Sequence, residues 1–421
     1  MSLPVLPHNA QPLELRTPAD LAAELAAVGE PARPAVQEWE RVRPAALRLE
    51  QVPPALCSRL EALAAAQASG LRLYGSGPAL LLTGSRAALR GLAEALRADG
   101  QAAAATAIER CLSDRPGEWR WGRRVLDFRS GALVMGVLNC TPDSFYPASR
   151  RPGPEAALEA ARAMIAAGAH ILDVGGESTR PGSDPVPAGD EIRRVVPVLE
   201  AIRRESEVLL SVDTRKPEVA EAALAAGADI LNDISALRAD RGEARNGGRR
   251  AARHGGRPEA DGSGGGLPGM AALAARHGVP LVLMHMRGEP KTMQVQPQYR
   301  DVVSEVLEEL AAAVQFASGA GVRKLMVDPG IGFGKRLEDN LCLLKNLEAL
   351  RALGCPILIG LSRKSFLGAV TGEPVEGRLA ATIAADTLAI LGGADIVRVH
   401  DVGEAVQTVR LVRAVLGAVC R

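Results

Sequence analysis

The sequence predicts an α/β protein, a (β/α)8 or TIM barrel preceded by a smaller N-terminal appendage. The chain has 421 residues, a length that suits about two domains. From residue 131 onward, short apolar runs alternate with amphipathic helical stretches eight times, as in a (β/α)8 barrel. A doubly wound open sheet is the alternative, but eight repeats without an evident switch point favour the barrel.

Residues 1–125 form the predicted appendage, an α/β or mostly helical unit. The stretches ADLAAELAAVG and LCSRLEALAAAQASG have helical spacing. Residues 71–100 follow the pattern strand, turn, strand and helix, with Ser85 as the helix N-cap. The turn after ALLLTG is more typical of helix capping than of phosphate binding. We find no chemistry in this part, and its role is not predicted.

The predicted barrel occupies residues 126–421. Its strands lie in ALVMGVLN, HILDVGG, LLSVDT, DILNDI, VPLVLMH, KLMVDPG, PILIGLS and IVRVHDV. Helices are predicted at 154–168, 189–204, 216–226, 268–277, 300–319, 338–350, 378–391 and 403–418. Residues 238–267, rich in glycine and arginine, interrupt the rhythm after strand four and predict a flexible, solvated insertion.

Composition excludes several classes of function. The formal net charge of +1 gives no electrostatic case for binding nucleic acid or an anionic membrane. Six scattered cysteines without a C-x-x-C pair argue against a disulfide framework or zinc cluster, and predict a reducing cytoplasm. The N-terminus lacks the features of a signal peptide, and no apolar run has the length of a membrane span.

Polar side chains stand at the predicted carboxyl ends of the barrel strands, which meet at one mouth in this fold. A single Asp or Asn there often caps the next helix. Nine polar residues on one rim favour a binding site instead, and NCTPDSF (139–145) is its predicted first loop. The nine residues are Asn139, Asp173, Asp213, Asn232, His285, Asp328, Ser362, Arg398 and His400.

Three loops sharpen this prediction. GGESTRPGS (175–183) places an arginine beside hydroxyl groups, an arrangement that suits an anion. DPGIGFGK (328–335) is rich in glycine and allows backbone N–H groups to approach a ligand, although such loops are common. LSRKSF (361–366) places Lys364 after strand seven, beside the usual phosphate site of the fold, and we expect it to be functional.

Other basic residues at strand ends carry weaker signals. Lys216 and Lys335 follow strands three and six, and for Lys216 we expect an exposed position in the first turn of a helix. A lone histidine at an apolar strand end, such as His285, is often a core residue with its hydrogen bonds satisfied. His400 shares a strand face with Arg398, so both point to the mouth. No group of residues in the sequence has the spacing typical of transition-metal ligands.

The motifs together resemble the dihydropteroate synthase family. They are VMGVLNCTPDSF, ILDVGGESTRPGS, SVDTRKPEVAEAALAAGADILNDIS, LMHMRG, VDPGIGFGK, LSRKSFLG and VRVHDV, in the order and at the spacing of that family. The resemblance covers roughly residues 131–418, and the combination is highly specific. The first 125 residues and the insertion at 238–267 lie outside the common core of the family.

The resemblance implies three binding regions and a catalytic set. A deep pterin pocket would be lined by Asp173, Asp213, Asn232, Met286, Asp328, Phe333 and Lys364. Diphosphate would be held by Asn139, Arg398 and His400, with Mg²⁺ between its oxygens and Asn139. The p-aminobenzoate site would be bounded by Phe145, Thr179, Arg180 and Ser365. The residues implied in catalysis are Asp173, Lys364, Arg398 and His400.

The implied reaction joins p-aminobenzoate to 6-hydroxymethyl-7,8-dihydropterin diphosphate and gives 7,8-dihydropteroate and diphosphate. The resemblance also implies a homodimer and a sulfonamide target. Two alternatives remain open from the sequence: a pterin-binding barrel of the methyltransferase type, and a catalytically impaired pterin-binding paralogue. The second is motivated by the loop after TPDSF, which is YPASRRPGP here, where the family has a polar run that contains glycine.

Overall fold

The structure, a computed structural model, describes residues 9–13, 46–50, 52–66, 71–75, 80–84, 86–112, 117–140, 154–178, 183–242 and 269–416. Ser85, the stretch ADLAAELAAVG, the loop at 141–150 and residues 243–267 of the predicted insertion lie outside these ranges. None of the helices in the described ranges combines the length and hydropathy that a membrane crossing requires.

The N-terminal part folds around one antiparallel sheet. Its strands β1 to β4 pair in the order β1-β2-β4-β3, and they are Asn9–Leu13, Ala46–Glu50, Arg72–Tyr74 and Leu80–Thr83. Helices α1 to α3 are Pro54–Ala66, Arg86–Ala98 and Ala102–Leu112. Leu89, Leu92 and Leu96 recur at helical spacing on α2 and pack in one core with Leu80 and Leu82 of β4.

The strand, turn, strand and helix predicted for residues 71–100 are confirmed, and the appendage is α/β rather than mostly helical. Its first two strands, β1 and β2, are not predicted from the sequence. The edge strand β1 contains Pro12, which an edge position tolerates but which weakens the sequence signal for a strand. The appendage packs on the barrel through a 3₁₀ turn, Leu347–Leu353, whose Ala352 joins the appendage core.

A short hairpin closes the floor of the barrel. Strands β5 (Glu118–Trp121) and β6 (Arg124–Asp127) pair antiparallel, and Leu126 and Phe128 pack on the apolar residues that start the barrel strands. Arg124 Nε donates to Asp229 Oδ1 at 2.7 Å and ties the hairpin to the base. The predicted boundary between residues 125 and 126 falls within β6.

Eight parallel strands form the barrel. Strands β7 to β14 are Leu133–Asn139, Ile171–Gly175, Leu209–Asp213, Ile230–Asp233, Leu281–Met284, Leu325–Asp328, Leu358–Gly360 and Ile396–Val399. They run in the order β12-β11-β10-β9-β8-β7-β14-β13. A parallel bridge between Val327 and Ile357 joins the two ends, so the sheet is closed and the predicted (β/α)8 class is confirmed.

Helices cover the outside of the barrel. Helices α4 to α12 are Pro154–Ala166, Ala188–Glu205, Pro217–Ala225, Met270–His277, Val302–Gly319, Leu337–Lys345, Ser365–Thr371, Leu379–Leu391 and Val402–Leu416. The predicted helix 338–350 is wrong at its carboxyl end, where the chain changes to the 3₁₀ turn. Asp301 caps α8, because its Oδ1 accepts from the N–H groups of Val303 and Ser304.

The register of the strands aligns the polar ends. Asn139 of β7 pairs with Gly175 of β8, Gly175 pairs with Asp213 of β9, and Asp213 pairs with Asn232 of β10. Asp173 lies two residues before Gly175 and is therefore one pleat deeper on the same face. The closed barrel thus brings side chains from distant parts of the chain to one rim.

One further buried acid is not among the predicted rim residues. Asp386 on α11 is buried, and its Oδ1 has no hydrogen-bond partner in the described part of the chain. Burial, together with the nearby Asp401 carboxylate, raises the pKa of Asp386 to about 7. The folded protein therefore holds the proton of Asp386 more tightly than the unfolded chain does.

Asp386→Asn should make stability less dependent on pH. Because the folded pKa of Asp386 exceeds the unfolded value, wild-type stability falls as pH rises from about 4 to about 7 and stays low above it. The unfolding free energies of both proteins are measured at about pH 5 and about pH 8.5. The value of the variant minus that of the wild type should be higher by roughly 1–3 kcal/mol at the higher pH. An equal difference at both pH values would contradict this account.

Candidate active site

One arginine and two carboxylates dominate the mouth of the barrel. Arg398 Nε donates to Asp173 Oδ2 at 2.7 Å, and its Nη2 donates to Asp213 Oδ2 at 2.8 Å. Asn232 Nδ2 also donates to Asp173 Oδ2, at 3.1 Å. Strands β8, β9, β10 and β14 each contribute one residue to this cluster, so its geometry depends on closure of the barrel.

The cluster leaves acceptors for a ligand. Asp173 Oδ1 and Asp213 Oδ1 are buried and have no hydrogen-bond partner among the described residues. Burial raises the pKa of Asp213, while Arg398 opposes that shift. Burial also works against the charged form of Arg398, but Asp173 and Asp213 hold its pKa above the ordinary value. A ligand with several N–H donors would satisfy the two free oxygens.

A third carboxylate, Asp328, and a lysine, Lys364, also lie at the mouth. Asp328 Oδ1 accepts from the N–H of Gly330 at 2.7 Å. Lys364 Nζ donates to the carbonyl of Ile331 and lies 4.8 Å from the ring centroid of Phe333. Burial lowers the pKa of Lys364 to about 8, and the charge of Asp328 opposes that shift. Burial likewise raises the pKa of Asp328, opposed by Lys364.

An apolar cluster lies beside these charges. Met284, Met286, Met293 and Ile234 pack together near the carboxyl ends of β10 and β11, with Phe333 partly buried against them. Methionine side chains adapt to the faces of flat rings. The mouth therefore combines an apolar wall with buried hydrogen-bond acceptors, as a pocket for a planar polar heterocycle requires.

The last two strands supply further polar groups. His400 is exposed, and its Nδ1 lies 3.0 Å from Ser362 Oγ, which also accepts from the His400 N–H. Arg363 makes a bidentate pair with Asp401, with distances of 2.9 and 2.6 Å. Arg363 has a φ of 57°, a rare value for a residue other than glycine, and it directs the chain into α10 beside Lys364.

Comparison with known proteins identifies the family. A model described as pterin binding enzyme matches residues 135–400 of the chain. Dihydropteroate synthase from Escherichia coli (strain K12) is 42% identical over 289 residues, which are 68% of this chain and 92% of that protein. The chain belongs to the dihydropteroate synthase family. The resemblance inferred from the motifs is therefore confirmed.

One relative is longer than this family core. A probable bifunctional folylpolyglutamate synthase/dihydropteroate synthase from Haloferax volcanii is 45% identical over 289 residues, which are 68% of this chain but 31% of that protein. The aligned region thus covers less than a third of the length of this bifunctional relative. Nothing in the match extends to the remainder of that protein.

Solved structures agree with the family assignment. Dihydropteroate synthase from Xanthomonas albilineans with 4-aminobenzoic acid is 39% identical, with a TM-score of 0.62 over 73% of this chain and 100% of that chain. The same enzyme in complex with 7,8-dihydropteroate has a TM-score of 0.58 over 70% of this chain and 97% of that chain. Dihydropteroate synthase from Yersinia pestis, solved with a sulfonamide drug, is 38% identical. Its TM-score is 0.62 over 72% of this chain and 100% of that chain.

The structure brings most of the predicted dihydropteroate synthase residues to one mouth. Asn139 is half-buried, and Gly175 lies between it and Asp213 in the register. Ser365 is exposed at the start of α10, directly after Lys364. Three residues predicted for the p-aminobenzoate site lie outside the described residues, namely Phe145, Thr179 and Arg180.

Lys216 differs from its prediction. It is half-buried at the N-terminus of α6, and its Nζ pairs with both Glu177 and Glu191 rather than lying free in solvent. Glu177 Oε2 also accepts from the N–H of Val186 at 3.1 Å, across the loop that follows β8. Sequence spacing does not reveal these ion pairs, because both partners belong to the preceding strand–helix unit, β8 and α5.

The sequence places Lys335 after the sixth barrel strand but predicts no role for it. It is 2% exposed, and its Nζ lies 2.8 Å from His285 Nδ1, 3.0 Å from the carbonyl of Gly330 and 3.2 Å from that of Phe333. Burial lowers the pKa of Lys335 well below its ordinary value, against the charge of Asp328. The lysine therefore supports the glycine loop from beneath.

The glycine loop is held on all sides. Beyond the bonds of Lys335, Gln294 donates to the carbonyl of Gly332 at 2.7 Å and Tyr299 donates to that of Gly334 at 2.9 Å. Gly330, at φ +64°, could not accept a side chain, because a Cβ there would lie 1.8 Å from the carbonyl oxygen of His285. This loop therefore fixes Asp328 and Phe333 at the mouth of the barrel.

Burial sets the protonation state of His285 beneath this loop. Burial lowers the pKa of His285 to about 4, so the ring is neutral near neutral pH. With Nδ1 accepting from Lys335, the proton is on Nε2, which lies 3.1 Å from Glu309 Oε2. His285 is thus a buried acceptor for Lys335, but its hydrogen bonds are only partly satisfied, because its Nε2 makes no hydrogen bond of acceptable geometry within the described residues.

Lys335→Met should weaken pterin binding. The change removes a donor shared by three buried acceptors and loosens the loop that carries Asp328 and Phe333, so affinity for a phosphate-free 6-hydroxymethylpterin should fall by about tenfold or more. Calorimetric titration measures this affinity. Lys345→Met, at an exposed position of α9, is the matched control and should bind as the wild type does. Wild-type affinity in the Lys335 variant would contradict the proposed support.

Proposed function

We propose that the protein is a dihydropteroate synthase, a transferase that condenses p-aminobenzoate with 6-hydroxymethyl-7,8-dihydropterin diphosphate. The observation that carries this proposal is the juxtaposition of buried, unpaired carboxylate oxygens with an apolar wall and with Arg398 and Lys364 at one rim. This arrangement suits a planar ring rich in N–H donors that bears an anionic tail. The family assignment supports the same activity.

The pterin ring would be recognised by acceptors below and an apolar surface beside it. Asp213, Asn232 and Asp328 supply carboxylate and amide oxygens for the N–H groups of the pterin edge. Because Asn232 Nδ2 is already bonded to Asp173, its Oδ1 remains to accept from the ligand. Met286 and Phe333 would pack against the ring, and Lys364 lies over the ring of Phe333.

The diphosphate would lie toward the outer rim, near Asn139, Arg398 and His400. Arg398 uses its Nε and Nη2 groups for Asp173 and Asp213, so among the described residues its Nη1 group is left for a ligand. His400 is exposed. We assign Mg²⁺ to this position, because Asn139 supplies an amide oxygen and magnesium is usually held by few protein ligands together with phosphate oxygens. When bound, the ion would neutralise charge on the diphosphate.

The reaction proceeds best by departure of diphosphate before attack. The bond between the methylene carbon and the bridging oxygen breaks, and the electron pair leaves with diphosphate, whose charge Arg398, His400 and Lys364 stabilise. The methylene cation is delocalised into the pterin above Asp213 and Asp173. The neutral amino group of p-aminobenzoate then forms the C–N bond and releases a proton, so no strong general base is needed.

For p-aminobenzoate we propose Phe145, Thr179, Arg180 and Ser365, of which Ser365 lies at the start of α10. Support comes from the solved relatives described with 4-aminobenzoic acid and with a sulfonamide drug. A sulfonamide that resembles p-aminobenzoate should compete at the same place. Competition kinetics against p-aminobenzoate would measure this, and inhibition independent of p-aminobenzoate would refute a shared site.

We further propose a homodimer and a cytoplasmic location. Helices α11 and α12 pack together and expose Leu388, Leu391, Leu411 and Val415, an apolar surface that a second copy of this chain would cover. Sedimentation velocity tests the dimer, and a monomer at micromolar concentration would refute it. The cytoplasmic location is supported by five free thiols in the described ranges, typical of a reducing compartment.

The activity is tested by diphosphate release. Purified protein incubated with the dihydropterin diphosphate, p-aminobenzoate and Mg²⁺ should release diphosphate only when p-aminobenzoate is present. Arg398→Ala should reduce this turnover by about a hundredfold or more, because the leaving group loses a charged partner, yet still bind a phosphate-free pterin.

Two outcomes would count against the assignment. Pterin binding by the wild type without diphosphate release would indicate a catalytically impaired paralogue. An equal loss of turnover and of phosphate-free pterin binding in Arg398→Ala would refute the role of Arg398 toward diphosphate.

A further inference from the structure

We propose that Asp173 is a positioning residue that restrains Arg398 and so couples diphosphate binding to the charge beneath the pterin. This inference rests on the proposed function, since it concerns the same site. It gives Asp173 a second role beside the contact that its free Oδ1 offers to a ligand. Asp173 would set how readily Arg398 becomes available to the diphosphate and which way Asn232 faces.

The position of Asp173 supports a role beneath the substrates. It is fully buried, and it pairs with Ser211 in the register, one pleat below the level of Asp213. Its Oδ2 is the shared acceptor of Arg398 and Asn232. Asp173 thus fixes two groups that the proposed function assigns to ligands, one to diphosphate and one to the pterin.

Arg398 is divided between two carboxylates. Its Nε bonds Asp173 and its Nη2 bonds Asp213, and the side chain keeps 22% of its surface exposed. Charge-assisted hydrogen bonds are among the stronger interactions of side chains. A diphosphate that recruits Arg398 must therefore compete with both carboxylates for the guanidinium group, and its affinity is lowered by that competition.

The competition for Arg398 also affects the electrostatic potential beneath the pterin. When Arg398 shifts toward the diphosphate, Asp173 and Asp213 lose the cation that neutralises them. Two carboxylates then remain in a buried setting, where charges interact strongly. Their negative potential lies beneath the pterin as its methylene carbon becomes positive. Binding of the leaving group and stabilisation of the cation are linked through the same arginine.

The test is the affinity for inorganic diphosphate, measured by calorimetry in Mg²⁺ buffer without pterin or p-aminobenzoate. Asp173→Asn removes the charge that restrains Arg398 and should tighten diphosphate binding by about fivefold or more, as expected for one charge-assisted hydrogen bond. Asp213→Asn removes the other partner and should act in the same direction, so the test does not depend on one variant folding well.

Asp328→Asn is the matched control. It also removes a buried negative charge near the mouth, but Arg398 does not hydrogen-bond to Asp328. If Asp173 acted only through general repulsion of the anion, the two variants should tighten binding alike. We expect binding to tighten less in Asp328→Asn than in Asp173→Asn, because the Asp328 carboxylate acts on Arg398 only through space and makes no hydrogen bond with it.

The possible failures are distinguishable. Unchanged or weaker diphosphate binding in both Asp173→Asn and Asp213→Asn would overturn the restraint of Arg398. Equal tightening in Asp328→Asn would overturn it as well. A wild-type protein that fails to bind diphosphate even at millimolar concentration would instead contradict the proposed function.

Discussion

The guanidinium group of Arg398 lies between the buried carboxylates of Asp173 and Asp213, and the rest of the mouth is arranged around this contact. Two carboxylates in so dry a place are tolerable only with a cation or with hydrogen-bond donors nearby. Arg398 satisfies that requirement for both carboxylates. A ligand that brings its own donors can take over, which makes the site selective for a ring rich in N–H groups.

The contact depends in turn on closure of the barrel. Arg398 comes from β14, Asp173 from β8 and Asp213 from β9, and β7 separates β14 from β8 in the sheet. The bridge between β12 and β13 closes the ring. The hairpin β5–β6 fills the opposite end, where Leu126 and Phe128 meet the apolar starts of the strands. One end of the barrel provides stability and the other provides chemistry.

Much of this arrangement could be predicted from the sequence, because carboxyl ends of parallel strands converge and polar residues there stand out against apolar runs. The barrel, its eight units and the rim residues followed from that rule. The pairing of Lys335 with His285 and of Lys216 with Glu177 did not, since these side chains lie on other strand–helix units and no local spacing reveals them. The strands β1 and β2 and the floor hairpin were missed because short strands with mixed polarity give little periodic signal.

The most direct test of the central claim is a crystal structure of the protein with 6-hydroxymethyl-7,8-dihydropterin diphosphate. Our account predicts the pterin edge on Asp213, Asn232 and Asp328, and the diphosphate on Arg398 and His400. It also predicts that the guanidinium group of Arg398 has moved away from at least one of its two carboxylate partners. A pterin bound in another cavity, or a diphosphate bound while Arg398 keeps both carboxylate bonds and makes no contact with it, would contradict the account.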